Sequence, residues 1–150
     1  MVGRYLAAQA RQQDRDVLAL TSAEWDITDP AAAERFIRSG DVVINCAAYT
    51  KVDAAEEDQE QAHAVNAVGP ENVAHACARA GADLIHISTD YVFSGAQQRP
   101  YEIDDEAGPL SVYGRTKLAG ELMVLAAMPD AHIVRSAWIY EGADGGDFVA

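Results

Sequence analysis

DVVINC, residues 41–46, is β-branched and almost continuously apolar. Such a run predicts a strand covered on both faces, the habit of parallel sheets. A loop of mostly small residues follows it, Ala47-Ala48-Tyr49-Thr50. Outward from there, LIHIS at 84–88 reads as another buried strand, HIVRS at 132–136 as a last strand, and DVLAL at 16–20 as a short apolar run of strand length. Helical segments lie between them. Residues 4–13 are rich in helix formers. Asp29 and Pro30 suit the N-cap and first position of a helix that should run through Phe36 and Ile37 and stop at Gly40. A polar, alanine-rich stretch over 52–79 reads as helix, with a break at Gly69-Pro70 and an end at Gly81. Ser111 can cap a helix over 112–128, which Pro129 ends. Strands alternating with helices predict an α/β, doubly wound parallel sheet. Such sheets bind ligands beyond the carboxyl ends of their strands. Here those ends are Ala47-Ala48-Tyr49, Thr89-Asp90 and Ala137-Trp138. The loop over 89–109 is long enough to be read as functional.

Composition narrows the function. The 150 residues suit one domain, and 49% hydrophobic residues supply a core. A formal charge of −13 argues against general binding to nucleic acid or anionic membranes, which needs basic patches. No apolar run approaches a membrane span and no signal-peptide core is visible, so the expectation is a cytoplasmic protein. Cys46 and Cys77 have no CxxC partner and read as buried thiols. His63, His75, His86 and His132 lack ligand spacing and read as structural or solvated, so no metal site is assigned. The acidic runs Glu56-Glu57-Asp58 and Asp104-Asp105-Glu106 read as solvated faces.

One constellation carries chemistry. Tyr113 and Lys117 form a YxxxK pair whose four-residue spacing puts both on one helical face. The Lys117 ammonium would then favour the ionised phenol of Tyr113 and hold it below the usual phenol range, readying it for proton exchange. A buried strand ends at Ser88-Thr89-Asp90, where a hydroxyl could hold a carbonyl oxygen against the tyrosine. Small side chains at Ala47 and Ala48 would admit a flat cofactor to the backbone. Thr, Tyr and Lys on an α/β frame are the working parts of short-chain dehydrogenase chemistry.

The wording then becomes specific. WDITDP (25–30), DVVINCAAYTKVDAAE (41–56), VNAVGPENVA (65–74), STDYVFSG (88–95), RPYEIDDEAGPLSVYGRTKLAGE (99–121) and RSAWIYEG (135–142) span nearly the whole chain. In that order they resemble the dTDP-4-dehydrorhamnose reductase family of extended short-chain dehydrogenase/reductases. STDYVF discriminates, because sugar epimerases of that superfamily usually carry a serine-rich version there. The resemblance implies a Rossmann-like fold and hydride transfer from NADPH or NADH to C4 of a dTDP-4-keto-6-deoxyhexose, giving dTDP-L-rhamnose. It implies Tyr113 as proton donor, Lys117 as the residue orienting the nicotinamide ribose, and Thr89 as hydrogen-bond partner of the carbonyl oxygen. By the same resemblance Asp90 contacts the sugar, Trp138 lines the substrate site, Asp26 and Ile27 hold the adenine, and Ala47, Ala48 and Tyr49 line the cofactor cleft. Some relatives bind a divalent ion such as magnesium through acidic groups, but no matching cluster is assignable here. A nucleotide-sugar is the implied partner, and a homodimer is compatible with it.

The chain departs from that pattern at both ends. A Rossmann unit starts with a strand feeding GxxGxxG into a helix. Val2-Gly3-Arg4 reads as the tail of that loop, with Gly3 as its last glycine and Val2 and Gly3 as remaining cofactor contacts. The expectation is a partial NAD(P)-binding Rossmann domain over 1–150, lacking the first strand of the order 3-2-1-4-5-6 and the C-terminal substrate domain, and unstable or inactive alone. Two other readings stand beside the reductase. One is a non-catalytic regulatory subunit resembling the β subunit of methionine adenosyltransferase; the other is an inactive fragment.

Overall fold

In the computed structural model, residues 1–139 are described. Tyr140 to Gly142 of the last motif lie outside them, as do the residues that follow. Three strands form a parallel sheet in the order β1 (Val42–Asn45), β2 (Asp83–Thr89), β3 (His132–Ser136). The helices are α1 (Val2–Gln12), α2 (Val52–Glu57), α3 (Gln59–His63), α4 (Gly69–Ala80) and α5 (Val112–Ala127). This is the α/β class with a parallel sheet expected from the strand and helix alternation, Rossmann-like as the resemblance implies.

The core lies between one sheet face and α4 and α5. Val73, Ala74, Ala76 and Cys77 of α4 pack with Leu84 of β2 and Val124 of α5, and Ile27, Ala33 and Ile37 close the cluster. Each fully buried Val or Leu contributes on the order of 1.5–3 kcal/mol. Register explains which side chains turn inward. Val43 pairs with Leu84, Asn45 with His86, and Ser88 with Arg135, so a polar layer follows the apolar one toward the strand ends. Val42, Ile44 and Val134 remain exposed, so β1 is not the strand buried on both faces that its composition predicts.

Local expectations need correction in three places. Residues 16–20 form no strand, and Leu18 stays 68% exposed. A strand exists only as part of a ladder, and among the described residues none lies beside it. The helix expected after Pro30 shrinks to a 3-10 turn over Ala33–Arg35. Asp29 accepts from the Ala31 amide at 2.9 Å but does not cap the turn, whose N-cap is Ala32 with no side-chain cap bond, and so short a segment cannot repay helix nucleation. Arg38 instead donates to the carbonyls of Glu34, Arg35 and Ile37. The break in the 52–79 stretch falls at Asp58, not at Gly69-Pro70. Pro70 stands in the first turn of α4, where its missing N–H is harmless.

A π-helical turn over Ala64–Val68 feeds directly into α4. It carries Asn66, whose side chain accepts from the Tyr49 amide at 2.8 Å and donates to the Tyr49 carbonyl and Thr116 hydroxyl. The Asn66 carbonyl faces Gly120 of α5 so closely that a Cβ there would lie 2.0 Å from the oxygen. Backbone cannot give way as a flexible side chain can. Gly120→Ala is therefore expected to cost about 2–3 kcal/mol, read as a lower denaturation midpoint at unchanged m-value.

Candidate active site

The carboxyl ends of all three strands emerge on one side, and α5 runs beside the end of β2. Ser111 caps α5 as expected, accepting from the Gly114 amide at 3.1 Å. Glu56 of α2 accepts from the Val112 amide at 2.7 Å. These two bonds fix the start of the helix, and with it Tyr113. The Tyr113 ring meets Tyr91 edge-on at 5.6 Å and packs against the cluster of Ala55, Ala62 and Val112. Gly114 lets this happen, because a Cβ there would lie 2.3 Å from the Tyr91 carbonyl.

Thr89 ends β2 and stands with Tyr113. Its hydroxyl donates to the Asp90 carboxylate at 3.1 Å and accepts from the Tyr91 amide. Burial pushes the Tyr113 phenol above its usual range; the hydrogen bond with Thr89 opposes that, and the charges of Asp90 and Tyr91 add to it. This corrects the expectation that Lys117 would lower it. Lys117 is only 1% exposed and turns into the sheet, with Nζ donating to the Ile87 carbonyl at 2.7 Å and lying 3.3 Å from His86 Nε2. Burial lowers it to about 8, against the pull of Glu121 and Cys46.

The remaining residues are spread around this centre. Gly3, in the first turn of α1, lies beside Cys46, with 3.4 Å between a Cβ position there and Cys46 Cβ. Val2 and Gly3 are half-buried, Ala47 is exposed, and Ala48 and Tyr49 are half-buried. Asp26 is exposed, with its carboxylate accepting from the amide and hydroxyl of Thr28, which lower its pKa. Ile27 is buried in the core, and Asn72 donates to its carbonyl. Trp138 is 67% exposed just past β3. A groove of about 540 Å³ runs between α3 and α5, lined by residues such as His63, Val112 and Arg115, and includes neither Thr89 nor Tyr113. Among the described residues, no group of three or more His, Cys, Asp or Glu is placed to hold a metal, and no helix is long and apolar enough to cross a membrane.

Sequence reasoning missed a second tier. His86, read as structural or solvated, is wholly buried between Asn45 and Lys117. Glu121 binds Arg135 and accepts from Ser88 Oγ. The alternation in LIHIS was the available signal, since it puts His86 and Ser88 on the same face as Leu84. Two polar groups on a core face require partners.

Fold and side chains together define the class, a Rossmann-like α/β chain with a Tyr–Lys pair on the helix beside the middle strand's end. The chain belongs to the family described as the RmlD substrate binding domain, which matches residues 1–150. It is 66% identical to the dTDP-4-dehydrorhamnose reductase of Mycolicibacterium smegmatis, over 100% of this chain and 46% of that protein. It superposes with TM-score 0.90 on the Clostridium acetobutylicum dTDP-4-dehydrorhamnose reductase, at 43% identity over 98% of this chain and 52% of that one. The same score relates it to the Bacillus anthracis enzyme solved with NADP, at 37% identity over 98% of this chain and 53% of that one. The chain thus spans about half the length of the relatives it matches.

Proposed function

We propose that this chain supplies the catalytic centre of a nicotinamide-dependent reductase acting on the C4 ketone of a dTDP-4-keto-6-deoxy sugar, dTDP-4-dehydro-L-rhamnose. The observation that carries this is the meeting of the Thr89 and Tyr113 hydroxyls at the end of β2, backed by a buried Lys117. The names of the relatives supply the substrate class.

The residues fit a nicotinamide dinucleotide. The α1 helix starts beside the end of β1 with no side-chain cap and no acid in its first turn. Its free amides at Val2 and Gly3 suit a diphosphate. Ala47, Ala48 and Tyr49 would wall the cleft, and Asp26 and Ile27 would meet the adenine. Lys117 keeps a further N–H for a ribose hydroxyl. When bound, NADPH or NADH supplies the hydride for C4. The chain's own part is proton and charge management. Tyr113 hands its phenolic proton to the C4 oxygen, so hydride and proton together turn the ketone into an alcohol. The Thr89 hydroxyl turns from Asp90 to donate to the same oxygen, stabilising charge as it develops. Asp90 is then released to accept from a sugar hydroxyl, and Trp138 would cover the sugar.

The test is turnover by the intact gene product. Loss of reduced-nicotinamide absorbance should require both the cofactor and the dTDP-4-keto sugar. A purely regulatory subunit would bind nucleotide and leave both compounds unchanged, and that result would overturn the proposal.

A further inference from the structure

Hydrogen-bond direction in the polar layer between β1, β2 and α5 is over-determined. The Ala47 amide can only donate, and its partner at 3.0 Å is Asn45 Oδ1. Asn45 must therefore present its NH₂ to His86 Nδ1, 3.2 Å away. An NH₂ group has no lone pair to offer, so Nδ1 must accept. His86 is uncharged, because burial, the larger cause, pushes it down to about 3, and the charge of Lys117 adds to this whenever the lysine is protonated. A neutral imidazole that accepts at Nδ1 carries its proton on Nε2. That N–H points at Lys117 Nζ, 3.3 Å away. It finds an acceptor only if Lys117 is a neutral amine, which can still donate to the Ile87 carbonyl. The described arrangement is thus the hydrogen-bond pattern of deprotonated Lys117.

Protonation of Lys117 reverses the chain. An ammonium is donor-only, so Nε2 must accept and the imidazole proton must move to Nδ1. Asn45 must then turn its oxygen toward His86, and the Ala47 N–H loses its partner. We propose that Lys117, His86 and Asn45 form a relay in which protonating Lys117 switches the His86 tautomer, turns the Asn45 amide and frees the Ala47 N–H for an acceptor on a bound nucleotide. By linkage, a ligand that takes the Ala47 N–H favours the lysine that has its proton. His86 is in this view a positioning residue for Lys117. The groups facing Lys117 are His86 and the Ile87 carbonyl from β2, Cys46 at the end of β1, and Glu121 of its own helix. The Cys46 thiol is itself held protonated by burial, against the pull of the Met1 ammonium and of Lys117. The nature of the acceptor rests on the proposed function; the relay does not, and its test needs no turnover.

The test is ring-nitrogen NMR of the full chain labelled with ¹⁵N-histidine, with His86 assigned by its loss in His86→Gln. The two His86 ring signals should exchange shifts with a midpoint near pH 8, the value toward which burial moves Lys117, without formation of an imidazolium. The Ala47 amide proton should move with the same midpoint. Bound NADPH should shift that midpoint upward. Lys117→Met should hold His86 in one tautomer at every pH. A wild-type His86 that keeps one tautomer through the Lys117 titration overturns the relay, and this result needs no variant to fold. A midpoint unmoved by bound nucleotide overturns the role of Ala47. Failure to bind nucleotide, with the tautomer switch intact, would count against the reductase reading and not against the relay.

Discussion

Tyr113→Phe is expected to lower kcat by about 10²–10⁴, the usual worth of a positioned general acid, with little change in nucleotide affinity or folding stability. A phenylalanine ring keeps the edge-on contact with Tyr91 at 5.6 Å and the packing on Ala55, Ala62 and Val112. Only the hydroxyl goes, together with its bond to Thr89. Thr89 retains Asp90 and the Tyr91 amide as partners, so no buried polar group is stranded. The variant therefore isolates proton donation. Residual turnover should remain, because Thr89 can still donate to the C4 oxygen. The pH dependence follows from the raised phenol. A donor must be protonated, and raising its pKa extends the protonated range further into alkali. Reduction should hold through neutral pH and fall only as pH rises through the Tyr113 pKa, above the range of an ordinary phenol. Tyr113→Phe should abolish that alkaline limb. Turnover within about tenfold of wild type would remove Tyr113 as the acid.

What could be read in advance depended on the range of the interaction involved. DVVINC and LIHIS announce strands because apolar content and β-branching act residue by residue, and both are strands. Ser111 announces the start of α5 because a cap bond spans three residues. DVLAL has the same local character and is no strand, since a ladder partner is not a local property. The π-helical turn at Ala64–Val68 leaves no composition signal; its cause is three-dimensional, the bridging of Tyr49 and Thr116 by Asn66. In the candidate site, YxxxK and STDYVF single out Tyr113, Lys117 and Thr89, and the structure brings Thr89 to Tyr113, but spacing could not say where the lysine head points. Four residues on a helix put two Cβ atoms on one face. A flexible four-carbon side chain then went into the sheet, toward His86 and the Ile87 carbonyl. That detail inverted the expected effect on the Tyr113 phenol.

Arg135→Met is expected to destabilise the fold by about 3–5 kcal/mol, the range for stranding one member of a buried ion pair. The Glu121 side chain is 3% exposed and that of Arg135 26%. Arg135 grips the carboxylate with two nitrogens, Nη2 at 2.6 Å from Oε2 and Nε at 3.0 and 3.1 Å from the two oxygens. Such paired bonds are the strong, directional kind. They tie β3 to α5, while the guanidinium also lies 4.9 Å from the Phe93 ring centroid. Phe93 in turn stacks on Tyr101 at 4.2 Å, which anchors the long loop after β2. Methionine keeps much of the aliphatic volume and leaves Glu121 with Ser88 and a more distant Lys117. The loss should appear in the urea midpoint and, because α5 carries Tyr113 and Lys117, in loosened protection of the first turn of that helix. Adding Glu121→Gln to Arg135→Met separates two causes. If the stranded charge dominates, the double variant regains most of the loss. If it unfolds as readily as Arg135→Met alone, the weight lies in the contact between the guanidinium and Phe93, and the loop, more than the ion pair, holds β3 against α5.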